Sequence, residues 1–437
     1  MAERLRPALA PGARVLLGLS GGMDSVVLLD VLSRIVKTGE LSFELQAMYV
    51  NHGISPHAAE WGAFCERLCR NSNIAFQAIK VNLEPRRHLG LEGAAREARY
   101  EALATAGAEF VVVAQHQDDQ AETLLLQLMR GAGARGLAAM PAERGLPGTK
   151  SRLLRPLLGV SRHAIEAYAR EQKLEWVEDE SNDDVSLKRN FLRARVLPAL
   201  EEGFPGARAS IALSAANLAE ASALLDELAD EDLERLVVDQ GLDIARLLAL
   251  GEARARNALR RWCESEDLDW PGSARLSELL RQLAILRPDA GMEVSVGERA
   301  FRAYRGVLHI SGPAIAGSAC MQLWDGEPLL PVPVLAGRMH FTAALGQGIS
   351  AALLQGRKVT LRSRRGGETL QPDCARPRRT LKNLFQESGV PPWQRDGLPF
   401  VYCDEELIAV PGLGEDCRWR ARPGEPGWLI RWESTAA

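Results

Sequence analysis

Short, nearly continuous apolar segments alternate with amphipathic segments over the N-terminal part of the chain. The apolar segments have the length of strands and the amphipathic ones the length of helices. Strands are predicted at 14–19, 43–50, 76–81 and 109–114, and helices at 25–36, 58–71, 92–106 and 119–129. Strands that are apolar throughout and separated by helices indicate a parallel sheet covered on both faces. The first domain, residues 1–208, is therefore predicted to be a doubly wound α/β fold.

The pattern changes after this domain. Apolar residues recur with helical periodicity from about 210 to 280, among many Ala, Leu, Glu and Arg residues, which predicts a mainly helical domain over 209–312. Proline and glycine become frequent between 312 and 348, and we expect strands and a linker over 313–350. The last part, 351–437, is predicted to be a small basic α+β domain, with strands at 358–362, 400–403 and 407–410 and a helix at 380–388.

Composition is that of a globular protein of the cytosol. A chain of 437 residues is too long for one ordinary core, so we expect two or three domains. The formal net charge of −4 argues against a protein coated in base that binds nucleic acid without specificity. The seven cysteines are scattered and form no CxxC pair, so reduced thiols are expected. No signal sequence and no run of membrane-spanning length is found, and we predict a cytoplasmic protein with no membrane partner.

One segment departs from the slightly acidic balance of the whole. Nine Lys and Arg residues lie between 357 and 382, against Glu368 and Asp373. A basic cluster of this kind can make salt-sensitive contacts with phosphates, and Trp393 would add a rigid aromatic surface beside it. Solvated charge is the alternative. The candidate nucleic-acid contacts here are Arg364, Arg365, Arg378, Arg379 and Lys382.

The turn after the first predicted strand has the sequence SGGMDS. Gly21 and Gly22 permit positive φ and let backbone N–H groups approach an anion, and the following helix adds its partial positive end. The turn lacks the lysine of a Walker A loop and the spacing of a dinucleotide motif. It carries Asp24 instead, which would repel phosphate unless a divalent cation lay between them. The turn predicts either a phosphate cradle with Mg²⁺ at Asp24 or an ordinary capped helix start.

Two further segments place polar residues near the same sheet edge. His52 and Gly53 follow the second strand at its carboxyl end, where ligands bind in parallel sheets. Arg96 lies on the third predicted helix and is a candidate for the cation that takes up charge developing on a reacting phosphate. The alternatives are a locally hydrogen-bonded turn at His52 and a solvated helix face at Arg96.

Acidic residues follow the fourth strand, and a basic segment comes later. Asp119 and Glu122 share one face of a helix and would point into the same crevice. Two carboxylates without a basic neighbour in the sequence suit an ammonium-bearing substrate, although acids also complement a helix dipole. The later segment predicts either an ion-pair network or a phosphate-backbone contact. Its cations are Lys188, Arg189, Arg193 and Arg195.

Taken together, these motifs resemble those of a known enzyme family. SGGxDS after a first strand is similar to the PP-loop of ATP pyrophosphatases, which grips the β and γ phosphates as a leaving pyrophosphate so that AMP is transferred. The series SGGMDS, NHGIS, LEGAAREARY, AQHQDDQAET, RPLL, EDESN and RNFLRARVLP resembles bacterial tRNA(Ile)-lysidine synthetases in order and spacing. The resemblance resumes at TLKNLFQESGVPPWQRD, which looks like that family's tRNA-binding terminal domain, and the middle matches in character only.

The resemblance implies a ligase reaction on tRNA. In that family ATP adenylates the C2 carbonyl oxygen of the wobble cytidine in an isoleucine tRNA with a CAU anticodon, and the ε-amine of L-lysine then displaces AMP. The implied partners are this tRNA, L-lysine and ATP, with Mg²⁺. A homodimer is compatible with the sequence, which has no feature that decides it.

The resemblance also implies roles for individual residues. Asp119 and Glu122 would hold the lysine ammonium, and Asp24 would bind Mg²⁺. Arg193 and Arg195 would contact tRNA together with the C-terminal cations. The implied nucleotide site consists of Ser20, Gly21, Gly22, Met23, Asp24, Ser25, His52 and Gly53. The implied catalytic residues are Asp24, Arg96, Asp119, Glu122 and Arg189.

Other functions share part of this pattern. A tRNA thiolase would need paired cysteines for sulfur or an iron–sulfur cluster, and Cys65 and Cys69 have the wrong spacing. Amide-forming synthetases of NAD or GMP fit the loop but do not explain the basic terminal segment. A tRNA-binding protein with a vestigial nucleotide pocket would not need the acids Asp24, Asp119 and Glu122.

Overall fold

The computed structural model of the chain describes residues 1–178, 180, 184–238, 241–268, 272–287, 291–312 and 320–434, without the side chains of 87–89 and 91–92. Its residues form two units, Met1–Leu225 and Asp226–Ala437. Part of the EDESN motif, at 179 and 181–182, lies outside the described residues.

The first unit alternates strands and helices. Its strands are β1 Ala13–Gly18, β2 Phe43–Asn51, β3 Ala75–Lys80, β4 Phe110–Val112, β5 Glu143–Gly145 and β6 Arg152–Leu154. Its helices are α1 Ala2–Leu5, α2 Met23–Thr38, α3 Ala58–Ser72, α4 Gly90–Thr105, α5 Gln117–Leu128, α6 Ala134–Leu137, α7 Arg162–Glu171, α8 Lys188–Phe191, α9 Leu197–Gly203 and α10 Ala207–Leu236, which continues into the second unit. A 3-10 turn spans Glu84–Leu89, and a π-helical turn, Leu192–Val196, joins α8 to α9.

A six-stranded sheet organises this unit, with the strand order β3-β2-β1-β4-β6-β5. All neighbours are parallel except β5, which runs antiparallel to β6. Successive residues of β1 face opposite sides of the sheet, as strand geometry requires. Leu17 packs in a core shared with α2, α3 and α7, and Leu16 in one shared with Leu103 of α4. The predicted doubly wound α/β fold is confirmed.

The second unit begins with helices and ends with strands. Its helices are α11 Ile244–Ala249, α12 Glu252–Ser265, α13 Ser273–Ile285, α14 Ala351–Leu354, α15 Leu381–Glu387 and α16 Pro392–Arg395. Its first strands are β7 Val237–Val238, β8 Gly241–Asp243, β9 Met292–Val296, β10 Arg299–Tyr304, β11 Val307–Ser311, β12 Met321–Trp324, β13 Leu329–Val332 and β14 Gly337–Leu345. The others are β15 Ile349–Ser350, β16 Val359–Arg362, β17 Thr369–Leu370, β18 Arg379–Thr380, β19 Phe400–Cys403, β20 Glu406–Val410, β21 Gly414–Glu415 and β22 Pro426–Ser434. Within the described parts of both units, no helix combines the length and apolarity needed to cross a membrane.

The middle of the chain contains a sheet that the helical periodicity did not predict. Strands β7, β8, β11, β10 and β9 form an antiparallel sheet, and its Phe301 and Leu308 share a core with Trp262 of α12. The signal was present in β9, where Met292, Val294 and Val296 alternate with polar residues. This period-two pattern is short and follows a long helical segment, so the helical pattern dominated the prediction.

Much of the predicted linker is also structured. Residues 313–319 lie outside the described part, but 321–350 contain β12 to β15. Strand β14 pairs with β22 from Gly337↔Ser434 to Leu345↔Pro426, and buries Met339 and Phe341. The abundant proline and glycine belong to the turns between these strands, which is why the segment looked like a linker. The domain boundaries themselves stay a prediction.

The expectation of reduced thiols holds for five of the seven cysteines. Cys65, Cys69, Cys263, Cys320 and Cys403 are free and buried. Cys374 and Cys417, however, form a disulfide, which corrects the expectation for this pair. They lie 43 residues apart, and sequence spacing does not reveal which surface turns meet in space.

Candidate functional site

A cavity of about 500 Å³ opens at the carboxyl edge of the six-stranded sheet. Parallel α/β sheets bind ligands at this edge. Its wall combines the SGGMDS turn, the end of β2, one face of α4 and the starts of α5 and α8. The polar side chains of the wall are Ser20, Asp24, Ser25, His52, Arg99, Tyr100, Gln115, Asp119, Arg189 and Asn190.

The SGGMDS turn is shaped by a steric requirement at Gly21. Its φ is +85°, a conformation that side chains with a Cβ rarely adopt. A Cβ added there would lie 2.9 Å from Val177 Cγ2 and 3.2 Å from Cys65 Sγ. The backbone N–H of Val177 also donates to the carbonyl of Gly21 at 3.0 Å. The turn is therefore fixed from behind, and its shape does not depend on a ligand.

The two serines of the turn have different positions. Ser25 is buried, and its hydroxyl donates to the carbonyl of Gly22 at 2.9 Å and accepts from the N–H of Ser20 at 3.2 Å. Ser20 is exposed at the cavity. Both hydroxyls are hydrogen-bonded within the turn, because Ser20 Oγ lies 3.1 Å from Ser25 Oγ and accepts the N–H of Gly22 at 3.3 Å. Of the two, the hydroxyl of Ser20 is the one that is exposed at the cavity.

Asp24 lines the cavity beside the turn. Its Oδ1 is buried and has no hydrogen-bond partner among the described residues, and its Oδ2 lies 3.6 Å from His116 Nε2. A carboxylate oxygen left unpaired beside a phosphate-binding turn suits Mg²⁺, which prefers oxygen ligands. The described part of the chain contains no cluster of three or more metal-binding side chains. A bound Mg²⁺ would thus complete its coordination with phosphate oxygens and water.

His116 connects Asp24 to Asp119. Its backbone N–H donates to Asp119 Oδ2 at 3.0 Å, and its Nε2 lies 3.5 Å from the same oxygen. Burial alone would lower the pKa of His116, but the hydrogen bond with Asp24 and the charges of Asp119 and Asp118 raise it above its ordinary value. A protonated imidazole between the two carboxylates offsets their mutual repulsion.

Glu122 lies behind the cavity wall. Only 1% of its side chain is exposed, and Arg193 forms a fork on it, with Nε 2.7 Å from Oε1 and Nη2 3.0 Å from Oε2. Nε of Arg189 lies 3.2 Å from Oε2. Burial raises the pKa of Glu122, and the two arginines oppose this shift. These acids have no basic neighbour in the sequence, but the fold brings Arg189 of α8 and Arg193 of the π-helical turn to Glu122, and Arg193 also to Asp119.

Asp118 and Asp119 are neighbours in the motif but have different partners in the fold. Its Oδ1 accepts the N–H of Arg162 at 3.0 Å, and its Oδ2 accepts Arg208 Nη1 at 2.5 Å. These contacts attach the start of α5 to α7 and α10. Asp118 is thus a structural acid, and only Asp119 of this pair lines the cavity.

Helix α4 presents Arg99 and Tyr100 to the cavity, whereas Arg96 does not line it. The guanidinium of Arg96 lies 5.6 Å from the centre of the Tyr100 ring. The predicted contact of Arg96 with a phosphate therefore stays a prediction, and Arg99, three residues further along the helix, is the arginine of α4 that lines the cavity. Burial, followed by the charge of Arg99, lowers the pKa of His52 to about 4, so this imidazole is neutral near pH 7.

The C-terminal cations are mostly engaged in ion pairs. Asp416 is fully buried and accepts Arg378 at 2.6 Å. Lys382 is exposed and forms no ion pair with the described residues. The other predicted contacts are paired as Arg364 with Asp396, Arg365 with Glu405 and Arg379 with Glu387.

Trp393 does not provide the open aromatic surface expected of it. Its ring packs edge-on against Tyr304 at 6.1 Å and His309 at 5.7 Å between centres, and Arg302 lies 5.6 Å from it. These partners come from β10 and β11. Trp393 therefore attaches the α16 region to the middle sheet of the same unit.

Family models and full-length relatives of this chain point to the same protein family. A family model described as a PP-loop domain matches residues 2–200, and models described as the TilS substrate binding domain and the TilS substrate C-terminal domain match 242–309 and 359–432. A tRNA(Ile)-lysidine synthase of Nitrosomonas europaea is 43% identical over 98% of this chain and 94% of its own length. Those of Coxiella burnetii and Aromatoleum aromaticum are 38% and 40% identical, over 94% and 98% of this chain and 91% and 99% of their own.

Gly21→Ala is expected to weaken nucleotide binding about tenfold or more, because the turn must move to relieve a positive-φ strain of about 1–3 kcal/mol and the contact with Val177. Equilibrium binding of ATP measures the effect. Gly12→Ala is the matched control, because Gly12 has a φ of +81° but no atom within 4 Å of an added Cβ. Equal losses of affinity in the two variants would contradict the steric account.

Proposed function

The chain belongs to the tRNA(Ile)-lysidine synthase family, and we propose that it is the ATP-dependent ligase that joins L-lysine to the wobble cytidine of the isoleucine tRNA with a CAU anticodon. The observation that carries this proposal is that one cavity is lined by the preformed SGGMDS turn, by Asp24 and by Asp119. A phosphate-binding turn with a metal-binding acid suits ATP, and a second acid beside it suits an amine.

In the first step, the cytidine is activated by ATP. The N–H groups of the turn and the hydroxyl of Ser20 would hold the β and γ phosphates, and Asp24 would hold Mg²⁺. Bound there, Mg²⁺ would neutralise phosphate charge. The C2 carbonyl oxygen of the cytidine attacks the α phosphorus, and the bond to pyrophosphate breaks. Arg99 and Arg189 on the cavity wall are placed to stabilise the charge that develops.

In the second step, lysine replaces AMP. Asp119 receives an ammonium group of lysine at the cavity wall, and Glu122, which Arg189 contacts at Oε2, adds negative charge behind it. The ε-ammonium gives its proton to Asp119, the resulting amine attacks C2, and the C2–O bond breaks so that AMP leaves. His52 stays uncharged at the opposite wall, so it adds no cation that would repel the amine.

The cationic side chains that are exposed to solvent are the candidates for contact with tRNA. Arg195 of the π-helical turn and Lys382 are exposed and present positive charge to solvent. The arginines at 364, 365, 378 and 379 would contact phosphates by exchanging their present carboxylate partners. Such exchange keeps each of these arginines paired with an anion in the free and the bound states.

The main alternative reaction is the transfer of sulfur to tRNA, and the cysteines of the first unit do not support it. Burial raises the pKa of Cys65 to about 12 and that of Cys69 to about 11, so neither is a thiolate near neutral pH.

The direct test is ATP-dependent transfer of labelled L-lysine to an isoleucine tRNA transcript with a CAU anticodon, followed by mass analysis of its nucleosides. We expect label in one modified cytidine. The methionine tRNA with the same anticodon is the matched control and is expected to remain unlabelled. Formation of AMP and pyrophosphate without transfer of lysine would keep the PP-loop assignment and overturn the choice of nucleophile.

Asp24→Asn is expected to reduce pyrophosphate release at least about a hundredfold, because a neutral amide binds Mg²⁺ far more weakly than a carboxylate. Affinity for tRNA should be unchanged, and filter binding measures it in parallel. Asp184→Asn, which alters an exposed acid near α8, is the control. Pyrophosphate release at the wild-type rate would remove Asp24 from the mechanism.

Lys382→Ala is expected to weaken tRNA binding and to reduce the slope of log affinity against log salt by about one, as the loss of one phosphate contact would. This variant is preferable to removing residues 351–437, because that deletion would take β22 away from β14. Lys150→Ala, an exposed lysine of the first unit, is the matched control. A slope equal to that of the wild type would mean that Lys382 is simply solvated.

A further inference from the structure

Arg193 covers carboxylate oxygens that the proposed function assigns to the substrate. Its Nε lies 2.7 Å from Oε1 of Glu122, and its Nη2 lies 3.0 Å from Oε2 of Glu122 and 3.4 Å from Oδ1 of Asp119. The second oxygen of Asp119 accepts the N–H of His116. The guanidinium thus lies between the two acids, where a substrate cation would be bound.

Charge balance restricts how this position can change. Glu122 has 1% of its side chain exposed, so it cannot be left without a cation at low cost. Arg189 approaches Oε2, but Arg193 is the residue whose Nε contacts Oε1. An ammonium group can therefore reach Oε1 of Glu122 and Oδ1 of Asp119 if it takes the place of the Arg193 guanidinium. One positive charge then replaces another, and Glu122 keeps a cation.

The backbone around Arg193 provides a way for it to leave. Arg193 lies in the π-helical turn Leu192–Val196, between the α-helical segments α8 and α9. π-Helical turns are rare, occur often at functional sites and are a local departure from the α-helix. A return of this turn to α-helical geometry would change the direction of the Arg193 side chain, because each residue of an α-helix is rotated by about 100°. The side chain is already 29% exposed, so it has access to solvent.

We propose that Arg193 is a positioning residue of the lysine site, which holds Asp119 and Glu122 in place while lysine is absent and yields its position to an ammonium group of lysine. This inference rests on the proposed function, since it takes lysine as the substrate. The site is then never without a cation, and the two acids do not have to reorganise when lysine arrives. The exchange makes lysine binding weaker than an open site would allow.

The test is the affinity of the full chain for L-lysine, measured by calorimetry at pH 8 in Arg193→Met and in the wild type. Methionine keeps the aliphatic part of the side chain and removes the competing charge. In the wild type, Arg193 either covers the two acids or has moved away from them. If the first state outnumbers the second by about ten to one, the apparent Kd for lysine falls about tenfold in the variant. A residue that only holds the acids in place gives the opposite sign, a higher Kd.

Two further variants complete the design. Arg193→Lys keeps a cation but loses the fork, so its affinity for lysine should lie between those of the wild type and Arg193→Met. Arg170→Met removes an arginine that pairs with Glu166 on the surface of α7 and should bind lysine as the wild type does. If Arg193→Met does not fold, Arg193→Lys decides, and lysine binding no tighter than in the wild type overturns the proposal.

Hydrogen exchange gives a second readout. Lysine should increase exchange at the amides of 192–196 in the wild type and leave it unchanged in Arg193→Met, where no side chain has to be displaced. Unchanged or weaker lysine affinity in a folded Arg193→Met overturns the proposal. Absence of lysine binding and transfer in the wild type would instead overturn the proposed function, so the two failures are distinguishable.

Discussion

The neutralisation of four carboxylates at one sheet edge is the constraint on which the rest of the site depends. Asp24, Asp118, Asp119 and Glu122 come from two helix starts that the parallel sheet brings together, and each is at least partly buried. Carboxylates this close need opposite charges from elsewhere in the chain. His116, Arg193 and Arg208 supply them, so the charge balance attaches the π-helical turn and α10 to the edge of the sheet.

Since the protein balances these charges internally, ligand binding at this edge is an exchange of partners. Oδ1 of Asp24 has no hydrogen-bond partner among the described residues, so a metal ion bound there would displace no side chain. At Glu122 the balance is complete, so a substrate cation bound there would have to replace one of its arginines. The C-terminal arginines resemble Glu122 in this respect, because phosphates would replace their acidic partners. The net charge of −4 is thus compatible with tRNA binding.

Features that depend on residues close together in the sequence were predictable. Four of the five parallel strands follow from short apolar runs, and the SGGMDS turn follows from glycines that the backbone geometry requires. Contacts between distant segments were not predictable. Arg193 is 71 residues from Glu122, and no pattern in either segment indicates that they meet. The same holds for the disulfide between Cys374 and Cys417, for the packing of Trp393 on β10 and for the pairing of β14 with β22.

The motif DDQAE shows how helix geometry divides adjacent acids into different roles. Successive residues of an α-helix are rotated by about 100°, so Asp118 and Asp119 leave α5 in different directions. Asp118 points to α7 and α10, while Asp119 points into the cavity. Glu122 is one turn further and lies on the side of Asp119, but at a depth where water is excluded. Burial, and not position in the motif, therefore separates Asp119, which lines the cavity, from Glu122, which is enclosed by arginines.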